Sequence, residues 1–199
     1  MLFNKSRKWD FPPEISFSNN ENLEYLYQIK LVGIIVSDDL RWEKNTQYIC
    51  RKETERMWIL RRMKKSKLDT EILLDTYTKE IRTILELAVP VWHSGLTLKQ
   101  TRDIERIQKT ALYIILEESY LDYDVACTLL GIEPLNLRRD QLCLKFAKKD
   151  VKKENSLFPK TENNGRTRQN NPVKEPKCNS IRFFKSRILY LSKLLNNDS

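Results

Sequence analysis

TEILLDTYTKEIRTILELA, residues 70–88, decides what kind of fold this chain can adopt. Leu73, Tyr77, Ile81, Ile84, Leu85 and Ala88 recur at spacings of three and four, which puts them on one face of an amphipathic helix. Asp69 or Thr70 can start that helix, Pro90 lies near its end, and Gly95 stops whatever continues.

The same periodicity extends in both directions. Toward the C-terminus, Thr97 opens a helix with Ile104, Ile107, Ala111, Ile114 and Ile115 on one face. A short helix from Tyr123 to Leu130 ends at Gly131, and another runs from about Leu135 to Lys152. Toward the N-terminus, Asn45 or Thr46 caps a helix reaching about Lys65, with Ile49, Leu60 and Met63 facing the core. Before Trp42 the pattern is strand-like. Pro12-Pro13 blocks a helix, Glu14 to Ser18 alternates with period two, and Asn19 to Asn22 is turn chemistry. The run from Leu31 to Val36 reads as a buried strand in which Gly33 permits close backbone approach.

The expected fold is therefore α+β and mainly α: a small N-terminal antiparallel ribbon, a bundle of about five helices, and a flexible tail with a terminal helix. The segments are a ribbon at 1–40, a helical domain at 41–153, a disordered linker at 154–180 rich in Asn, Pro and Lys, and a terminal helix at 181–199. Phe183, Phe184, Ile188, Leu191, Leu194 and Leu195 carry the apolar pattern of that last helix.

Composition narrows the class of function. Lys and Arg outnumber Asp and Glu by 36 to 27, giving a net charge of +9 that favours polyanionic partners. Cys50, Cys127, Cys143 and Cys178 are scattered with no CxxC pair, and His93 is the one histidine, so no zinc site is expected. No apolar h-region opens the chain, and no apolar run approaches the ~20 residues of a membrane span. An intracellular protein of nucleus or cytoplasm is expected, with no membrane and no small-molecule partner.

The positive charge is concentrated. Residues 41–65 hold nine Lys or Arg against three Glu, and residues 135–153 hold seven basic side chains against two acidic. Residues 101–134 carry a net −4. Each basic block is helical, so each can present a cationic face to phosphates or simply a solvated one. Trp42, Tyr48 and Trp58 interleave the first block; at helical spacing they are read as core residues rather than stacking platforms.

No catalytic constellation stands out. Asp38-Asp39 is the pair that invites a two-metal reading, but no aromatic lies two residues before it and no third carboxylate sits on a nearby strand. A turn explains both aspartates. Tyr120 to Asp124 is read as the cap of the helix that follows, and His93 as structural. GxxxxGK[ST], GxGxxG and GxSxG are absent.

Several ordered strings carry a resemblance. They are Lys30-Leu-Val-Gly-Ile-Ile-Val-Ser-Asp-Asp-Leu-Arg-Trp42, Tyr48-Ile-Cys50, Leu60-Arg-Arg-Met-Lys64 and Leu85-Glu-Leu-Ala-Val-Pro-Val-Trp-His-Ser-Gly95. Ile104-Glu-Arg-Ile-Gln-Lys-Thr-Ala-Leu112, Arg138-Arg-Asp-Gln-Leu-Cys-Leu-Lys-Phe146 and the closing Ser186 to Leu195 follow in the same order. Together they resemble the C-terminal part of non-LTR (LINE-type, jockey-like) retrotransposon reverse transcriptases. The resemblance implies the last palm strands, a helical thumb and a C-terminal extension. It places the family's magnesium-binding palm motifs upstream of the segment matching Met1. The family's primer-grip hairpin maps onto Lys30, Leu31 and Gly33, with Val32 where Leu is usual.

The expected function is template–primer binding as a fragment of an RNA-directed DNA polymerase, without enzymatic activity or a cofactor of its own. The partners are an RNA or DNA duplex and the missing palm and fingers. The contact residues expected are Lys30, Gly33, Arg51, Arg56, Arg61, Arg62, Lys64 and Lys65. The rival expectation is an adopted or decayed helical module that binds a protein.

Overall fold

In the computed structural model, which describes residues 26–153, 156–158, 173–177 and 186–198, helices follow a single two-stranded antiparallel sheet. β1 (Gln28–Leu31) pairs with β2 (Ile34–Ser37), Leu31 opposite Ile34, so Val32 and Gly33 form a two-residue turn. Both turn residues have positive φ, 47° and 85°, as in the type I′ turn whose twist suits a hairpin. The run from Leu31 to Val36 is thus not one strand. Gly33 takes a left-handed conformation and folds the run back on itself. Gly33 does meet the core closely, since a Cβ there would lie 2.8 Å from Leu87 Cδ2. The strand expected at Glu14 to Ser18 lies outside the described residues.

α1 (Glu43–Lys65) lays its inner face on α5 (Leu98–Leu116) and on β2. Ile49, Met57 and Leu60 are buried there, and Met63 packs at the edge. Neither Asn45 nor Thr46 caps the helix, which begins at Glu43. Asn45 is buried instead, and its Oδ1 accepts the Ile35 amide at 3.0 Å, fastening the hairpin to α1.

α2 (Thr70–Thr76) runs without interruption through a π-helical turn, Tyr77–Arg82, into α3 (Thr83–Leu85). Leu73, Tyr77, Ile81 and Leu85 of the expected stripe are buried, and Ile84 and Ala88 pack against the core. Ala88, at φ +51°, breaks the helix, and Pro90 opens the short α4 (Val89–Trp92). Thr97 and Gln100 form a capping box at the start of α5, each side chain accepting the other's backbone N–H.

α6 (Tyr123–Leu129) is capped by Asp122, which accepts the Val125 amide at 2.9 Å. α7 (Leu135–Val151) starts after Pro134, and Glu105 Oε1 accepts the Leu135 amide at 2.9 Å. Gln108 is buried at the centre. Its Oε1 accepts the Tyr77 hydroxyl at 2.6 Å, and its Nε2 donates to Tyr123 Oη and to the Glu133 carbonyl. One side chain thereby fixes the π turn, α5, α6 and the entry to α7.

α8 (Arg187–Asn197) docks on α7. The Tyr190 hydroxyl donates to Asp140, which also lies 2.8 Å from His93 Nε2. Burial pushes the Asp140 carboxyl upward, but the His93 and Tyr190 hydrogen bonds and the nearby Arg139 outweigh it and hold the group below its ordinary value. Within the linker expected at 154–180 the structure describes residues 156–158 and 173–177. Phe158 and Val173 are buried, the first in a turn whose Leu157 amide donates to Asp150 at 2.8 Å, the second bonded through its backbone to Asn196. The remaining linker and residues 181–185 lie outside the described residues.

Candidate nucleic-acid interface

Burying Ile49, Met57 and Leu60 turns the opposite side of α1 outward. Lys44, Arg51, Trp58 and Lys65 lie at successive intervals of seven residues on that side, and each is exposed. Two helical turns separate neighbours, a rise of about 10.5 Å with a drift of only about 20° per step. Arg62, one turn beyond Trp58, falls on the same stripe, with Arg61 at its margin. The side chains of Lys44, Arg61, Arg62 and Lys65 make no hydrogen bond or ion pair among the described residues. Arg51 faces Glu55 at 3.8 Å, but both are well exposed, and such pairs contribute only ~0–1 kcal/mol.

The hairpin extends this surface. Lys30 donates to the Tyr48 hydroxyl at 2.8 Å and lies 4.6 Å from the ring centroid, with Lys52 at 5.9 Å. The Lys30 hydrogen bond, with Lys52 and Arg51 nearby, lowers the Tyr48 phenol against the opposing effect of desolvation. Lys30, Lys52 and Arg51 thus form a continuous positive corner where β1 meets α1.

Not all the expected contact residues reach this face. Gly33 sits in the hairpin turn against Leu87 and offers only backbone. Arg56 is half-buried and donates to the Glu80 carbonyl at 2.7 Å, across to the π turn. Lys64 donates to the Ile115 carbonyl at 2.8 Å, with Glu117 at 3.7 Å. Both side chains are thus held by backbone carbonyls of the bundle. Lys30, Arg51, Arg61, Arg62 and Lys65 remain on the outer face.

Trp58 is the larger correction. It is 59% exposed, whereas Trp42 is buried and Tyr48 is partly covered by Lys30 and Lys52. Helical phase counted from Ile49 and Leu60 places it opposite the core, because residues 51, 58 and 65 share one phase.

The second basic block is spent differently. Arg138 bonds Glu86 at 3.2 Å, Arg139 is fully buried, Lys148 pairs with Asp198, and Lys153 with Asp150. Arg139 Nε donates to His93 Nδ1 at 3.3 Å, so His93 carries its proton on Nε2, toward Asp140. Only Lys145, Lys149 and Lys152 of that block are exposed and without a partner among the described residues.

Asp38 and Asp39 form a turn after β2, where Asp39 Oδ1 accepts the Arg41 amide at 2.9 Å. Among the described residues no group of three or more His, Cys, Asp or Glu side chains could hold a metal ion. No helix of the described residues is long and apolar enough to cross a membrane. Comparison with protein-family models, curated proteins and solved structures yielded no match.

Proposed function

We propose that this chain binds template–primer nucleic acid as the thumb-bearing C-terminal portion of a non-LTR retrotransposon reverse transcriptase, in nucleus or cytoplasm, without nucleotide transfer of its own. One observation carries the reading: the outer face of α1 holds Lys44, Arg51, Arg62 and Lys65 in line and exposed, while four of the seven cations of the second block are paired or buried. Phosphate contacts of this kind release counterions, and each contributes about 0.9 to the slope of log affinity against log salt. The resemblance of the ordered strings from Lys30 to Leu195 to that family supports the reading, as does a hairpin, β1–β2, that includes Lys30, Leu31 and Gly33.

Fluorescence anisotropy of a labelled primer–template duplex across a salt series tests the proposal. Affinity falling steeply with salt supports it; affinity indifferent to salt removes it. A second reading, a protein-binding module, is favoured by one feature: Val125 and Leu129, one turn apart on α6, are exposed, as is Leu121 just before the helix. A salt-insensitive complex with a protein would support that alternative.

A further inference from the structure

A cationic helix face accounts for phosphates but not for a tryptophan at its centre. Trp58 lies between the Arg51 and Lys65 positions of the stripe, with Arg61 and Arg62 one turn onward. Among the described residues no aromatic ring or cation lies over it, unlike Tyr48, whose ring has Lys30 at 4.6 Å. The indole is 59% exposed, whereas Ile49, Met57 and Leu60 of the same helix are buried.

We propose that Trp58 stacks on an unpaired nucleobase, so that the preferred ligand of this face is a strand with bases free to splay out rather than a closed duplex. The inference rests on the nucleic-acid reading above and specifies its ligand. Within a closed duplex both faces of every base are covered except at the ends, so an indole on a straight helix can reach only a terminal or unpaired base. The flanking cations fit the same strand: Arg51 and Lys65 each lie about 10.5 Å along the helix from Trp58, and bracket it with positive charge for the backbone on either side. Stacking is tolerant of base identity because every base has a π face. The site therefore selects for single-strandedness, not for sequence.

Binding of a labelled single-stranded oligonucleotide and of a blunt hairpin duplex, each across a salt series, tests this with the full chain. Trp58→Ala is expected to weaken single-strand binding by roughly tenfold, with the salt slope unchanged because every phosphate-binding cation is retained. Trp58→Phe is expected to recover most of that affinity, and binding of the blunt duplex to stay constant in both variants. Far-UV circular dichroism confirms that each variant keeps its helices. If Trp58→Ala leaves single-strand affinity intact while changing Arg51, Arg62 and Lys65 together to Glu abolishes it, the face binds phosphate and the stacking proposal is overturned alone. If the wild-type chain binds neither oligonucleotide, the underlying nucleic-acid reading falls as well. If the wild-type chain self-associates in sedimentation and Trp58→Ala disperses it, Trp58 belongs to an interface between copies and the proposal is overturned.

Discussion

Lys64, in the last turn of α1, donates a 2.8 Å hydrogen bond to the backbone carbonyl of Ile115, at the end of α5. α5 stops at Leu116 because Glu117 adopts φ +46°, leaving its terminal carbonyls short of intrahelical donors. A lysine from another helix, supported by Glu117 at 3.7 Å, fills part of that need.

Lys64 thus braces the end of α5. Lys64→Ala is expected to cost roughly 1.5–3 kcal/mol of stability, the range for a hydrogen bond to a charged group. It should leave the salt slope of nucleic-acid binding where it was. Chemical denaturation and anisotropy on the same variant check both halves. A normal denaturation midpoint with a flattened slope would return Lys64 to the binding face.

Glu53 supplies a pH dependence. It is 0% exposed on the inner side of α1, and neither carboxylate oxygen has a hydrogen-bond partner among the described residues. Desolvation pushes its carboxyl up to about 7 from an ordinary 4.5, despite Arg56 and Lys52 nearby. The folded state therefore favours the protonated form. Glu53 leaves stability greatest below its unfolded value near 4.5 and erodes it as pH rises through about 7. Glu53→Gln should be more stable than wild type near pH 8 by on the order of 2–3 kcal/mol and level with it near pH 4. Thermal melts at the two pH values decide this; a constant gap between the proteins would show that Glu53 does not titrate in this window.

The hairpin turn carries strain that substitution can relieve. Val32 is β-branched, 90% exposed, and held at φ +47°, a conformation that costs an L-residue roughly 1–2 kcal/mol. Val32→Asn, which creates the Asn-Gly pair favoured in type I′ turns, should stabilise the chain by about 1 kcal/mol. Gly33→Ala should do the reverse, since its Cβ would meet Leu87 Cδ2 at 2.8 Å in a left-handed backbone. Melting temperatures moving in the same direction for both would mean that this turn is not the one adopted.

The features legible in the sequence are those written in local periodicity. Leu73, Tyr77, Ile81 and Leu85 share a helical phase and are buried together, and Thr97 and Asp122 cap the helices they precede. The hairpin turn is hidden because Val32 breaks the turn chemistry that would announce it. Arg56 and Lys64 pass as surface cations because their acceptors, Glu80 and Ile115, lie 24 and 51 residues away along the chain. Phe158, beside an exposed Leu157, and Val173 are short apolar islands in a segment rich in Asn, Pro and Lys, and no window average reveals such anchors. Trp58 is misread as core when Trp42, Tyr48 and Trp58 are weighed together, although its phase relative to Ile49 and Leu60 already sets it outward.

The central claim is that α1 carries a dedicated phosphate-binding face, and salt titration of charge-reversed variants tests it most directly. Arg51, Arg62 and Lys65, all exposed on one stripe, are changed together to Glu, and Lys145, Lys149 and Lys152 of α7 serve as the matched control. Anisotropy of a primer–template duplex is recorded from low to moderate salt for both triple variants. The α1 reversal is expected to flatten the log–log slope by more than about two units, at roughly 0.9 for each phosphate no longer neutralised, while the α7 reversal leaves it nearly unchanged. Equal effects in the two variants would mean that binding follows net charge without a dedicated surface, and would contradict the account.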